Sequence, residues 1–93
     1  MVVRKRVVVG GVVQGVFFRD TCRQTAQEHG VAGWVRNVGR GEVEAVFEGE
    51  EDGVEALVRW ARRGPAAAVV ERVEVRDEAP EGLGAFEVLP SVR

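Results

Sequence analysis

The sequence predicts an α+β fold: a β-sheet with two helices packed on one of its faces. Three observations point there. Valine-rich segments alternate at the two-residue period of strands, two other stretches carry apolar residues at helical spacing, and the elements follow in the order β-α-β-β-α-β with an extra short strand at the end. The 93 residues suit a single domain, residues 1–93. Hydrophobic content of 45% with 30% charged residues places the chain among globular rather than disordered proteins.

Residues 2–13, VVRKRVVVGGVV, are dominated by β-branched valine and read as the first strand. Val7, Val9, Gly11 and Val13 fall on one face, with Arg4, Arg6 and Val8 on the other. From Arg19 to His29 the chain has neither Gly nor Pro, and Gly30 stands where a helix C′ residue is expected. Phe18, Cys22, Ala26 and His29 recur at helical spacing and predict the buried stripe of that helix. GWVRNV (33–38) is a short strand. GEVEAVFEG (41–49) is a clearer one, with Val43, Ala45 and Phe47 inward and Glu42, Glu44, Val46 and Glu48 outward. Gly39 and Arg40 between them predict a two-residue hairpin.

Asp52, with Glu55 three positions on, predicts a capping box for the second helix. Val54, Leu57, Val58 and Ala61 supply its apolar face, and Pro65 ends it. VVERVEVRD (69–77) alternates again, and AFEVLP (85–90) is a last short strand after a loop containing Gly82 and Gly84. Trp34 and Trp60 are expected to anchor the core. The whole matches the ferredoxin-like plan: an antiparallel sheet, two helices on one face and a short added C-terminal strand.

Charge and cysteine content narrow the function classes. A net charge of −2 does not suit a general nucleic-acid binder. One cysteine permits no internal disulfide and fits a reducing compartment. The start turns basic at Arg4–Arg6, and Val7–Val9 is too short for a signal peptide or a membrane span. A cytoplasmic, monomeric protein without nucleic-acid or membrane partners is expected.

The chemistry concentrates in GVVQGVFFRD, Gly11 to Asp20. A strand runs into a glycine bend and then a helix start, where backbone N–H groups lack intrahelical partners and the macrodipole is positive. The amides of Gly15, Val16, Phe17 and Phe18 can converge into an anion nest. Arg19 adds a planar fork suited to phosphate or carboxylate, and a Gly turn beside a solvated arginine is the structural alternative. No Walker A pattern occurs. Cys22 lies beyond the loop and directly precedes Arg23, which does not fit a cysteine phosphatase. His29, about 15 Å from Arg19 by helical rise, reads as structural, and so does Cys22. The acidic run Glu48, Glu50, Glu51 and Asp52 shows no alternating ligand pattern and reads as a negatively charged helix start.

GVVQGVFFR (11–19) resembles the GxVQGVxFR signature of the acylphosphatase family at every specified position. GWVRN (33–37), GEVEAVFEG (41–49) and RGPAAAVVERVEV (63–75) resemble the later segments of that family in the same order. The resemblance implies hydrolysis of the carboxyl–phosphate anhydride of a small acyl phosphate, with inorganic phosphate as a product. It implies that the loop amides and Arg19 hold the phosphoryl oxygens and that Asn37 orients the attacking water. Gln14 would support the loop, Phe17 and Phe18 would pack, with one of them lining the site mouth where acyl groups would sit, and Arg36, on the opposite strand face from Asn37, would be a solvated charge. No metal and no cofactor are expected.

Two rival classes share the order of elements. An RNA-recognition domain needs aromatics on its central strands, whereas the outward positions here are Glu42, Glu44, Val46 and Glu48 with Arg4, Arg6 and Val8. A non-hydrolysing sensor or carrier module would keep the anion site without the turnover. A metallochaperone of this topology is excluded by the lack of a CxxC pair.

Overall fold

In chain order the computed structural model, which describes residues 1–93, runs β1 (Val2–Val12), α1 (Phe18–Glu28), β2 (Ala32–Val38), β3 (Glu42–Glu50), α2 (Glu51–Arg63), β4 (Val69–Glu78) and β5 (Phe86–Val88). This is the expected order. The sheet is arranged β4-β1-β3-β2-β5. The β1–β3, β1–β4 and β2–β3 pairs are antiparallel. The added strand β5 instead joins β2 in parallel, so the sheet as a whole is mixed.

Topology decides where the ends of the strands meet. With β3 antiparallel to both β1 and β2, those two strands run the same way, and β5 runs with them. The C-terminal ends of β1, β2 and β5 therefore share one edge of the fold. The loop leaving β1, the β2–β3 hairpin and the last residue of β5 all emerge there.

One sheet face is covered by the helices, and the alternation of valines explains why. Val7, Val9, Val13, Val35, Val43, Ala45 and Phe47 meet Phe18, Cys22 and Ala26 of α1 and Val54, Leu57, Val58 and Ala61 of α2 in one core cluster. Fully burying a side chain such as Leu57 contributes about 1.5–3 kcal/mol. Trp60 joins this core, its ring 4.9 Å from that of Phe18. Near the end of β1 the register against β4 shifts between Gly10 and Gly11. Gly11 there has φ 131°, and a Cβ on it would lie 2.3 Å from the Val69 carbonyl oxygen. Only glycine fits that bulge.

Several expectations are corrected. Trp34 is half-buried and belongs to the other sheet face, where the guanidinium carbons of Arg36 and Arg6 lie 4.8 and 5.3 Å from its ring centroid. Arg36 is accordingly no free surface charge; it also pairs with Glu44 at 2.8 Å. The face opposite the helices is not simply solvated. Arg4 is 4% exposed and Glu48 3%, and Val46, paired across strands with Arg6 and Trp34, is fully buried.

His29 is exposed, because α1 ends at Glu28 and the C-cap residue leaves the packing stripe. The hairpin contains three residues, 39–41, closed by the Val38–Glu42 pair. Asp52 lies within the first turn of α2, whose N-cap is Glu50, and no side chain caps that end. Glu51 and Asp52 do place negative charge at the helix start, which the macrodipole favours.

Candidate active site

The loop from Val13 to Phe17 has to turn the chain from sheet to helix within a few residues, and two backbone conformations do it. Gly15 has φ 74°, which glycine adopts without steric cost. Phe17, the N-cap of α1, has φ 60° and ψ 25°, a left-handed conformation that a side-chain-bearing residue adopts at a cost of about 1–3 kcal/mol. The result is a run of donors without protein acceptors. None of the N–H groups of Gly15, Val16, Phe17, Phe18, Arg19 or Asp20 donates to a protein acceptor; the first helical donor is Thr21, bonded to the Phe17 carbonyl at 3.1 Å.

Arg19 sits on the first turn of α1, half-buried, with no hydrogen bond and no ion pair. Its neighbour Asp20 is turned toward Arg23, 3.7 Å away. Among the guanidinium groups this makes Arg19 a contrast to Arg4 and Arg6, both of which are saturated by carboxylates.

Asn37 lies near the C-terminal end of β2, facing the loop. Its Oδ1 is buried and has no hydrogen-bond partner. A buried amide oxygen without a partner costs about 1–3 kcal/mol, so Asn37 Oδ1 is an acceptor that no protein donor satisfies. The backbone around Asn37 is fixed on both sides. Its carbonyl accepts from the Val92 N–H at 2.9 Å, and the Gly39 N–H donates to the Val92 carbonyl at 2.8 Å.

Gln14 ties the two halves together. Its Nε2 donates to the carbonyls of Glu42, Gly39 and Val38 at 2.9, 3.2 and 3.4 Å. One side-chain amide from the β1–α1 loop thus grips the β2–β3 hairpin that follows Asn37.

These groups converge on one pocket of about 380 Å³, lined by Val13, Gly15, Phe17, Phe18, Arg19, Asp20, Asn37 and Val88. Every residue expected at the site is therefore in or around it. Gly15, Phe17, Phe18, Arg19 and Asn37 line the pocket; Gln14 braces it from behind, and Val16 lies in the same loop and packs against the core. Val88 was not expected. It arrives because β5 pairs with β2 in parallel, and no sequence pattern carries that direction. His29 and Cys22 are absent from the pocket. Burial pushes the Cys22 thiol pKa up, so it holds its proton and packs as a small apolar group.

Chemically the pocket offers loop N–H groups without acceptors, one unpaired guanidinium and an amide oxygen without a donor. It has no unpaired carboxylate aimed at the loop centre and no histidine. Such a set of groups is chemically suited to a tetrahedral oxyanion with a water beside it.

Comparison with known proteins adds the chemistry of relatives. The acylphosphatase family model matches residues 5–88. An acylphosphatase of Gloeobacter violaceus is 60% identical over 89 residues, 96% of each chain. Among solved structures, an acylphosphatase from Coxiella burnetii superposes with a TM-score of 0.91 at 39% identity, over 95% of this chain and 93% of that one. Full-length HypF contains a similar unit, with a TM-score of 0.91 at 28% identity, covering 99% of this chain and 12% of that one.

Proposed function

The chain belongs to the acylphosphatase family and hydrolyses acyl phosphates to a carboxylate and inorganic phosphate, and we propose that it does so with Arg19, the Gly15–Phe18 amides and Asn37. The observation that carries this reading is the pairing of Asn37 Oδ1, buried and without a partner, with a facing run of unbonded amides in one pocket.

The phosphoryl oxygens are held by the N–H groups of Gly15, Val16, Phe17 and Phe18, with the Arg19 guanidinium in bidentate contact. Binding there disperses the negative charge that builds on the equatorial oxygens as the transition state forms. Asn37 accepts a hydrogen bond from the attacking water and so places its oxygen in line with the leaving group. The water oxygen bonds to phosphorus, and the phosphorus–oxygen bond to the acyl group breaks with its electron pair leaving on the carboxylate. The proton lost by the water passes to a phosphoryl oxygen. A carboxylate leaves without needing to be protonated, so positioning and charge stabilisation carry the catalysis.

No metal or cofactor is assigned a part, and the protein is taken to act as a cytoplasmic monomer on a small-molecule substrate. Turnover of benzoyl phosphate in the presence of EDTA, with inorganic phosphate as competitive inhibitor, tests this reading. Full activity in EDTA together with phosphate inhibition is expected. Loss of activity on chelation would replace the metal-free scheme, and turnover insensitive to phosphate would remove the loop from the site.

A further inference from the structure

Asn37 stands on the part of β2 that the sheet supports least. The strand β5 runs beside only Gly33, Trp34 and Val35 and ends at Val88. From Arg36 onward β2 has a regular strand on one side alone, β3, where Asn37 is paired with Val43. The Oδ1 of Asn37 has no partner, so no hydrogen bond to that oxygen sets the direction of the side chain. Placement of the amide therefore falls to the backbone.

The residues after β5 close this gap. The Leu89 N–H donates to the Val35 carbonyl at 2.9 Å. Pro90 brings no N–H, and the chain returns to β2 at Val92, which forms a parallel bridge with Val38. Three steps along β2, from Val35 to Val38, are matched by four along this segment, from Val88 to Val92. The extra residue acts as a bulge that re-aims the chain. It sets the Val92 N–H on the Asn37 carbonyl at 2.9 Å and the Val92 carbonyl on the Gly39 N–H at 2.8 Å. The two bonds bracket β2 where it enters the hairpin. Residues 89–93 lie outside the stretch, 5–88, that matches the family model, so this strap is an addition to the shared core.

We propose that Val92 is a positioning residue for the reaction: it holds the backbone of Asn37 so that the side-chain amide meets the attacking water in line with the leaving group. The proposal rests on the role given to Asn37 above. Val92 does not line the phosphate pocket, so its effect passes through Asn37. Misplacing a group that orients a reactant slows the chemical step and leaves binding elsewhere in the site intact.

The test is Val92→Pro, which deletes the N–H that bonds Asn37, at an exposed position. It is made in the parent and in Asn37→Ala, with benzoyl phosphate as substrate and inorganic phosphate as inhibitor. In the parent, kcat is expected to fall about tenfold with the phosphate inhibition constant unchanged. Val92→Ala, which restores the N–H, should recover most of that loss. In Asn37→Ala, Val92→Pro should lower kcat no further, because the group it positions is gone. A parent-like kcat in Val92→Pro, an equal fall in both backgrounds, or a matching loss of phosphate inhibition overturns the positioning role. Asn37→Ala with a parent-like kcat would instead overturn the reading of Asn37 on which it rests.

Discussion

Two places in this molecule are equipped to hold an anion with backbone amides and an arginine, and only one of them is already filled by the protein. On the sheet face opposite the helices, the carboxylate of Glu48 accepts the N–H groups of Glu81, Gly82 and Leu83, each at 2.8 Å, and meets Arg4 at 3.5 Å. At the far end of the sheet, the amides of Gly15 to Phe18 and the guanidinium of Arg19 present the same kinds of donor with no protein acceptor. A nest satisfied from within is a structural clamp: it pins the β4–β5 loop to the sheet. A nest left open keeps its donors available, which is what the proposed phosphate site requires. The chemistry of the two is alike, and what separates them is whether the chain supplies the anion itself.

The filled nest is also part of a larger network. Glu78 of β4 bonds Arg4 and Arg6 of β1, Arg6 bonds Glu44 of β3, and Glu44 bonds Arg36 of β2, so charge alternates across four strands. Desolvation opposes the ionised form of Glu48, but the three amides and Arg4 outweigh it and hold that carboxyl below its ordinary pKa. Glu78 is held down by its hydrogen bonds to Arg6 and Arg4.

The sharpest way to break the comparison is to remove the arginine from the open nest and the carboxylate from the filled one. Arg19→Ala should lower kcat/KM for benzoyl phosphate by about 10⁴-fold and abolish phosphate inhibition, with the unfolding midpoint in urea almost unchanged. A folded variant retaining near-normal turnover would take Arg19 out of the mechanism. Glu48→Ala should do the reverse. Arg4 keeps its bond to Glu78, but the N–H groups of Glu81, Gly82 and Leu83 lose their acceptor, which is expected to cost about 1–3 kcal/mol of stability, read by urea denaturation, while phosphate inhibition of the folded fraction stays as in the parent.

Asn37→Ala sharpens the distinction inside the open nest. It should reduce kcat by about 10²-fold with little change in the phosphate inhibition constant; equal loss of both would make Asn37 a binding group. The smallest effect concerns pH. Because the folded pKa values of Glu48 and Glu78 lie below the unfolded ones, their stabilisation is fully present above the unfolded carboxylate value of about 4.3. It is lost as pH falls through the folded values. Thermal midpoints should therefore drop below about pH 4.5, and less steeply in Glu78→Gln than in the parent. Parallel slopes would show that other carboxylates govern acid unfolding.

The open nest was legible in the sequence because its demands are local. A glycine bend, a helix start and an arginine must be contiguous for amides and guanidinium to converge, so Gly15 to Arg19 appear together in the chain. The filled nest was not legible. Alternation assigns Arg4 and Glu48 to the face away from the helices, but it does not say what covers that face. The cover is the 79–85 loop, whose backbone amides do the binding and whose side chains carry no periodic signal. Trp34 was misplaced for the same reason: its bulk suggests a core, while its strand parity puts it between Arg6 and Arg36. His29 was misplaced because helical spacing was continued one residue past the end of α1. Val88 reached the pocket through a parallel pairing that depends on long-range contacts alone.

Gln14 has a wider meaning than loop support. Its single amide joins the loop proposed to hold phosphate to the turn beyond Asn37, so the two halves of the proposed machinery share one anchor. Heat then has no gentle route to inactivation through a loosened site: the enzyme should keep its turnover until the sheet itself gives way.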